Sequence, residues 1–278
     1  MMAGDTLPIL IKVWAGEGRH DLRYIRRSLP SLLASDLPDG AHVVIVDDCS
    51  TDSRLAPFLR RLAQADSRVE LWTNPQRMGP NRGHVYNVGK LLERFPSAEC
   101  FALCDDDVVY HPGWLQRLLC VRREAEVAGI RGVFTALNFD IRPALQRIQL
   151  PSSEVLVKER QAALNWLVPR QTYDTVGPFR DMGLAYDHDY GLRMSALGLR
   201  VVCLAPSWVQ NIGFQGAYQS DNSHWAKDYV GKLGLGLRAH YLAWTLRGYG
   251  AGAILLARGA GRRLQRSLRR STGGATHR

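Results

Sequence analysis

Acidic residues are missing from one end of this sequence. After Asp228 there is no Asp or Glu, while ten basic residues follow, from Lys232 to Arg278. The formal net charge is +10, from 36 Lys and Arg against 26 Asp and Glu, so residues 1–228 carry equal numbers of each sign. Such a neutral body, with no recognisable nucleic-acid module, argues against nucleic acid as partner, because a basic tail alone gives only salt-sensitive, unspecific affinity. Cysteine lacks pattern as well. The five (Cys49, Cys100, Cys104, Cys120, Cys203) are odd in number and form no Cys-x-x-Cys pair. That argues against a disulfide framework and a thiolate zinc site, and it points to buried neutral thiols in a reducing compartment. Long hydrophobic runs are also wanting. The uncharged span from Val201 to Ser220 is broken by Pro206, Gln210, Asn211, Gln215 and Gln219, and Arg247 divides the stretch from His240 to Ala257. Neither reads as a membrane crossing. Met1 to Pro8 has no basic flank followed by an apolar stretch, so no signal peptide is expected. The expectation is a cytoplasmic protein, peripheral at the inner face of a membrane if it touches one.

What is present suffices for a large core: 278 residues with 46% hydrophobic content. Apolar runs at Leu7–Trp14, Ala41–Val46, Val69–Trp72 and Phe101–Cys104 read as buried strands. Between them, apolar residues recur at helical spacing: Tyr24 to Leu33, Leu55 to Leu62, Val85 to Phe95, and Trp114 to Val121. Strands without polar alternation, interleaved with helices, predict a parallel sheet covered on both faces. The second half is less regular, with strands expected at Gly132–Leu137 and Asn165–Arg170, extended segments from Leu145 to Val157, and a helix opening near Ala185 and ending at Gly198.

The chain is organised around Phe101-Ala102-Leu103-Cys104-Asp105-Asp106-Asp107, a buried strand that runs directly into three carboxylates. In an open α/β sheet that edge is where ligands bind. Three adjacent Asp repel one another, and a divalent cation with a diphosphate would offset the repulsion. A solvated acidic turn capping the next helix satisfies the same residues. Further acidic clusters lie at Asp47-Asp48 with Asp52, and at Asp187 with Asp189. If the sheet is parallel, the first two clusters share one edge.

Four segments resemble, in order and spacing, a glycosyltransferase of family 2 with the GT-A fold, across residues 5 to 216. They are Val43-Val44-Ile45-Val46-Asp47-Asp48-Cys49-Ser50-Thr51-Asp52, Asp105-x-Asp107 with Pro112 and Trp114 behind it, Val176-Gly177-Pro178-Phe179, and Asp187-x-Asp189-x3-Arg193. The resemblance implies an α/β fold with a Rossmann-like, mostly parallel central sheet and helices on both faces. It also implies inverting transfer of a sugar from a nucleotide-sugar donor, a UDP-sugar, to a hydroxyl of a saccharide or lipid-linked acceptor in polysaccharide or glycolipid assembly. By the same resemblance, Asp47 or Asp48 contacts the uracil, and Asn81 or Arg82 lies near the base or phosphates. Asp105 contacts ribose or metal, Asp106 belongs to the same nucleotide-binding group, Asp107 ligates Mn2+ or Mg2+, and Asp187 is the general base. Asp189 and Arg193 read as a structural i, i+4 pair.

This sequence departs from the family pattern in three places. Tyr186 stands where Glu usually precedes the base, Asn211-Ile212-Gly213 replaces a His-Ile-Gly pattern, and the first strand ends in Val13-Trp14-Ala15-Gly16. These departures sustain an alternative reading, a catalytically inactive nucleotide- or carbohydrate-binding protein of the same fold. A nucleotidyltransferase on a related fold would differ in releasing pyrophosphate.

The expected layout is a catalytic domain over residues 1–228 and a basic helical extension over 229–278. In the extension, Leu256, Ala260, Leu264 and Leu268 fall at i+4 spacing flanked by arginines, the pattern of a helix lying on an anionic membrane, though Gly259 and Gly261 weaken the helix. A disordered basic tail has the same composition. The membrane reading predicts that the full chain floats with anionic vesicles and that a chain ending at Gly248 stays behind. Equal flotation of the two removes the anchor.

Overall fold

A computed structural model describes residues 6–17, 19, 21–139, 143–183, 185–213, 225–239, 242 and 243. The proposed helix through Leu256 and Leu268 lies outside the described residues, as do the stretches 214–224 and 140–142. By compactness the chain divides into Met1–Gly231 and Lys232–Arg278. Among the described residues no helix is long and apolar enough to cross a membrane.

The larger unit begins with four strands that lie side by side and parallel: β1 (Leu7–Val13), β2 (Ala41–Asp47), β3 (Val69–Thr73) and β4 (Cys100–Asp105). The connecting helices are α1 (Asp21–Leu33), α2 (Leu55–Ala65) and α3 (Pro80–Arg94). Chain order thus becomes β3-β2-β1-β4 in space. Strands β1, β2 and β4 are buried along almost their whole length, as continuous apolar runs must be when helices cover both faces.

Beyond β4 the chain adds β5 (Val108–Tyr110), α4 (Trp114–Val127), β6 (Gly132–Thr135), β7 (Gln146–Gln149), β8 (Glu154–Lys158), β9 (Asn165–Pro169), α5 (Arg170–Val176), α6 (Tyr186–Ala196), β10 (Arg200–Ala205) and β11 (Val209–Asn211). The main sheet has nine strands in the order β3-β2-β1-β4-β9-β6-β10-β8-β7. Seven run one way, and β9 and β8 run against them, as their pairings with β4, β6, β10 and β7 show. The sheet is therefore mostly parallel, with β9 inserted antiparallel at its centre. The sequence does not announce that reversal, because every residue of β9 is buried and a strand without polar alternation reads the same in either direction. The small β5–β11 ribbon escapes the sequence for another reason: three residues are too few to show a period.

Helix α3 begins at Pro80, ahead of Val85 where the apolar helical spacing starts. Proline is suited to that first position, because its missing N–H would have no intrahelical partner there. The shift moves Asn81, Arg82 and His84 onto a helix. All five cysteines are unbridged. Cys100 and Cys104 are buried, and desolvation raises both thiols, that of Cys104 to about 12.

At Gly132, where β6 meets β10, φ is +146° and an added Cβ would sit 1.8 Å from the Arg200 carbonyl oxygen. Gly132→Ala is expected to lower stability by at least about 2 kcal/mol, read by urea unfolding. An unchanged midpoint would show that the β6–β10 junction relaxes around the methyl group.

Candidate active site

The carboxyl ends of β1 and β4 and the first turns of α3 and α6 open onto one cavity of about 430 Å³. Its wall includes Lys12, Trp14, Asn81, His84, the run Asp105-Asp106-Asp107, Tyr186, Asp187 and Asn211. Two acidic groups eighty residues apart in the chain thus share a hollow. The parallel register explains one side: Lys12 on β1 is paired with Asp105 on β4, so a cation and a carboxylate leave the sheet together.

The three carboxylates occupy different surroundings. Asp106 accepts a hydrogen bond from the Trp14 backbone N–H at 3.3 Å. The Oδ1 of Asp107 is buried without a hydrogen-bond partner, and its Oδ2 lies so close over Gly213 that a Cβ there would fall 1.7 Å from it. Desolvation raises the pKa of all three. For Asp105 the charges of Asp107 and Asp106 add to the rise, and for Asp106 that of Asp107 does. Lys12 works in the opposite direction on Asp105 and Asp106. Adjacent negative charges drawn out of water are held at a cost that a bound cation would offset.

The β5–β11 ribbon completes this edge. It sets Asn211 opposite Val108, and the Ile212 N–H donates to the Asp107 carbonyl at 2.8 Å. The side-chain oxygen of Asn211 accepts the Gly213 N–H at 2.6 Å.

Across the cavity, Asp187 lies in the first turn of α6, where the helix dipole favours a carboxylate. Its Oδ2 accepts the Ala163 N–H at 3.1 Å and its Oδ1 the His188 N–H at 2.8 Å, which fixes the side chain while leaving lone pairs free. Tyr186 is buried, its N–H donates to Asn81 Oδ1 at 3.3 Å, and its ring stacks on His84 at 4.6 Å. The aromatic residue in place of Glu therefore serves as packing that joins α3 to α6. Arg193 pairs with Asp189 at 2.9 Å and donates to the carbonyls of Val176 and Pro178. Two of the sequence motifs are thus a single hydrogen-bonded brace behind Asp187.

Asp47, Asp48 and Arg82 do not line the cavity. Asp47 accepts from the backbone N–H and hydroxyl of Ser50, which closes the turn after β2. Asp48 is 1% exposed and accepts from Asn74 Nδ2 and from the N–H groups of Met78 and Gly79, so it fastens the loop that launches α3. Arg82 is exposed on α3. Sequence reasoning missed Lys12, Trp14 and His84. Lys12 was available as a lone charge in an apolar strand; His84 carried no signal, because it becomes a cavity residue only once α3 begins at Pro80.

The sequence profile of glycosyl transferase family 2 matches residues 19–175. The chain belongs to glycosyl transferase family 2. Its structural neighbours have the GT-A fold. The mannosyltransferase PcManGT from Pyrobaculum calidifontis, solved with GDP-Man and Mn2+, is 16% identical with a TM-score of 0.52, over 96% of this chain and 83% of that one. GalNAc-T7 with UDP, GalNAc and Mn2+ is 13% identical with a TM-score of 0.56, over 82% of this chain and 45% of that one. S. aureus TarS is 14% identical with a TM-score of 0.52, over 73% of this chain. The chain spans 36% of the length of that TarS chain and 59% of the shorter TarS 1–349. No curated protein sequence matches it.

The contact between Gly213 and Asp107 yields a test. Gly213→Ala must push the Asp107 carboxylate aside, and a displacement of about 1 Å at a reacting site costs on the order of 100-fold in rate. Turnover at this cavity is expected to fall by that factor while circular dichroism shows the chain still folded. Full activity would mean that the Asp107 position is not critical.

Proposed function

We propose that this glycosyltransferase moves a sugar from a UDP-linked donor to a hydroxyl acceptor by one inverting displacement, in polysaccharide or glycolipid assembly. The observation that carries the reading is the single cavity holding Asp105-Asp106-Asp107 on one wall and Asp187 on another. The donor diphosphate belongs beside the acidic run and Lys12. The sugar then lies between that edge and Asp187, with its anomeric carbon open to attack from the Asp187 side.

The acidic run fits a divalent cation, Mn2+ or Mg2+. It offers hard oxygen donors, a buried unpartnered Asp107 Oδ1, and carboxylates whose ionised forms need a positive neighbour. Among the described residues no three His, Cys, Asp or Glu side chains already surround a common point, so substrate phosphate oxygens complete the shell. Asp107 and Asp105 would hold the ion, which as a Lewis acid would neutralise charge growing on the departing UDP. Lys12 supplies a fixed positive charge toward the same oxygens.

Asp187 takes the acceptor's proton as its oxygen attacks. Backbone N–H groups of Ala163 and His188 orient the carboxylate toward the proton it must take. Trp14 forms the outer wall, with the Arg77 guanidinium over its ring at 3.7 Å. Asn81 holds the α6 backbone at the inner wall. Asp47, Asp48 and Arg82 serve the donor through the turn and helix that they shape. Asp106 contributes charge and anchors the Trp14 backbone. The C-terminal basic residues suit attachment to an anionic membrane that carries a lipid-linked acceptor.

The reading predicts that Asp187→Asn lowers transfer by about 10²–10⁴-fold while UDP affinity, measured calorimetrically with Mn2+, stays within about twofold of wild type. UDP release from a panel of UDP-sugars gives the activity. Unchanged turnover in the variant would remove Asp187 as base, and no release by the wild-type chain with any donor would favour the inactive binding protein.

A further inference from the structure

Helix α1 carries positive charge that its surroundings do not balance. Arg23, Arg26 and Arg27 lie at i, i+3 and i+4 on its exposed side, and Arg19 stands two residues ahead of its start. With Leu22 and with Arg54, just ahead of α2, they line a second hollow of about 320 Å³. Two of the five arginines have carboxylate partners: Arg19 pairs with Asp21 at 3.0 Å and Arg54 with Asp52 at 2.6 Å. Among the described residues no carboxylate lies within ion-pair distance of Arg23, Arg26 or Arg27. Arg23 and Arg26 lie instead over the rings of Tyr24 and Phe58.

Stability alone gives no reason for this arrangement. Like charges three and four residues apart on a helix repel, and Arg23, in the first turn of α1, sits where the helix dipole disfavours a cation. An anion in the hollow reverses both costs, because it meets several guanidinium groups at once beside a helix N-terminus. The planar fork of arginine matches phosphate in particular.

The hollow adjoins the cavity through α1. Asp21 and Tyr24 of this helix line the cavity, while Leu22 and Arg23 line the hollow. Arg19 joins the two, since its guanidinium pairs with Asp21 and lies 5.3 Å from the ring of Trp14, another cavity residue. The charge of Asp21 in turn adds to the rise that desolvation causes at Asp106 and Asp107. The donor diphosphate has its place inside the cavity, beside Lys12 and the acidic run, so a further phosphate next to it belongs to the second substrate.

We propose that the arginine hollow on α1 is a phosphate subsite for the acceptor: the acceptor is a hydroxyl compound that carries a phosphate group, held on α1 while its hydroxyl enters the cavity. The proposal rests on the transfer reading of the cavity and names the acceptor class that this reading leaves open.

Inorganic phosphate, titrated at low salt into the full isotope-labelled chain and followed through its backbone amides by nuclear magnetic resonance, tests the subsite without turnover. The expected result is saturable shifts over residues 21–27 and at Arg54, with the dissociation constant raised at least about tenfold in the double variant Arg23→Gln, Arg27→Gln. Both side chains are exposed, and circular dichroism checks that the variant folds. No shifts at α1 in the wild type, or equal affinity in the folded variant, overturn the subsite. Shifts at α1 with phosphatidylglycerol vesicles but none with inorganic phosphate make the patch a membrane contact and overturn it too. Displacement of phosphate from α1 by UDP assigns the hollow to the donor and overturns the acceptor assignment. Soluble and short-chain lipid-linked saccharide phosphates, each compared with its unphosphorylated counterpart, distinguish the two sources of the group. Transfer at least about tenfold faster to the phosphorylated member is expected in one of these arms, and no preference in either overturns the assignment. UDP release from UDP-sugars by the wild type is a separate readout: its absence overturns the transfer reading, whereas release without phosphate binding overturns the subsite alone.

Discussion

Mutual repulsion among Asp105, Asp106 and Asp107 is the constraint on which this molecule turns. A buried strand delivers them to one edge of the sheet, where each is drawn partly out of water next to the others. Lys12 is the protein's own counter-charge, set beside Asp105 by strand register. One ammonium against three carboxylates does not balance, and an unbalanced buried charge is costly to keep. The site is thus built to take up positive charge.

The surrounding architecture keeps that arrangement from relaxing. The β5–β11 ribbon places Gly213 against the Asp107 carboxylate so closely that no side chain fits. Asp48 clamps the loop before α3, and the Asn81–Tyr186 hydrogen bond with the His84–Tyr186 stack joins α3 to α6. Arg193 braces α6 from behind through Asp189, Val176 and Pro178. The distance from the acidic run to Asp187 is consequently set by packed rings and backbone hydrogen bonds. Asp189 and Arg193 form the structural pair that their spacing implies, and Asp47 and Asp48 hydrogen-bond the turn after β2 and the loop before α3.

Much of this was legible before any coordinates. Continuous apolar runs at Leu7–Val13, Ala41–Val46 and Phe101–Cys104 mark a sheet covered on both faces, because only such burial removes the need for polar alternation. Parallel strands then force the ends of β2 and β4 onto one edge. The Asp187–Arg193 segment announced its helix through i, i+4 spacing. What stayed hidden was the direction of β9, which has no polar face to betray it, and the start of α3, where Pro80 serves helix initiation as readily as a turn. The fate of Asp48 was hidden too, since its partners Met78 and Gly79 are backbone groups thirty residues away.

Local apolar runs and the order of short motifs are enough to read the family, the layered α/β class and the acidic strand end. Which side chains share the cavity follows from the folded arrangement alone. Lys12 enters through strand register, His84 through the early start of α3, and Asn211 through a three-residue ribbon. The contacts of Lys12 and Asn211 join segments far apart in the chain, for which local patterning carries no term, and His84 depends on a helix boundary that a proline leaves ambiguous.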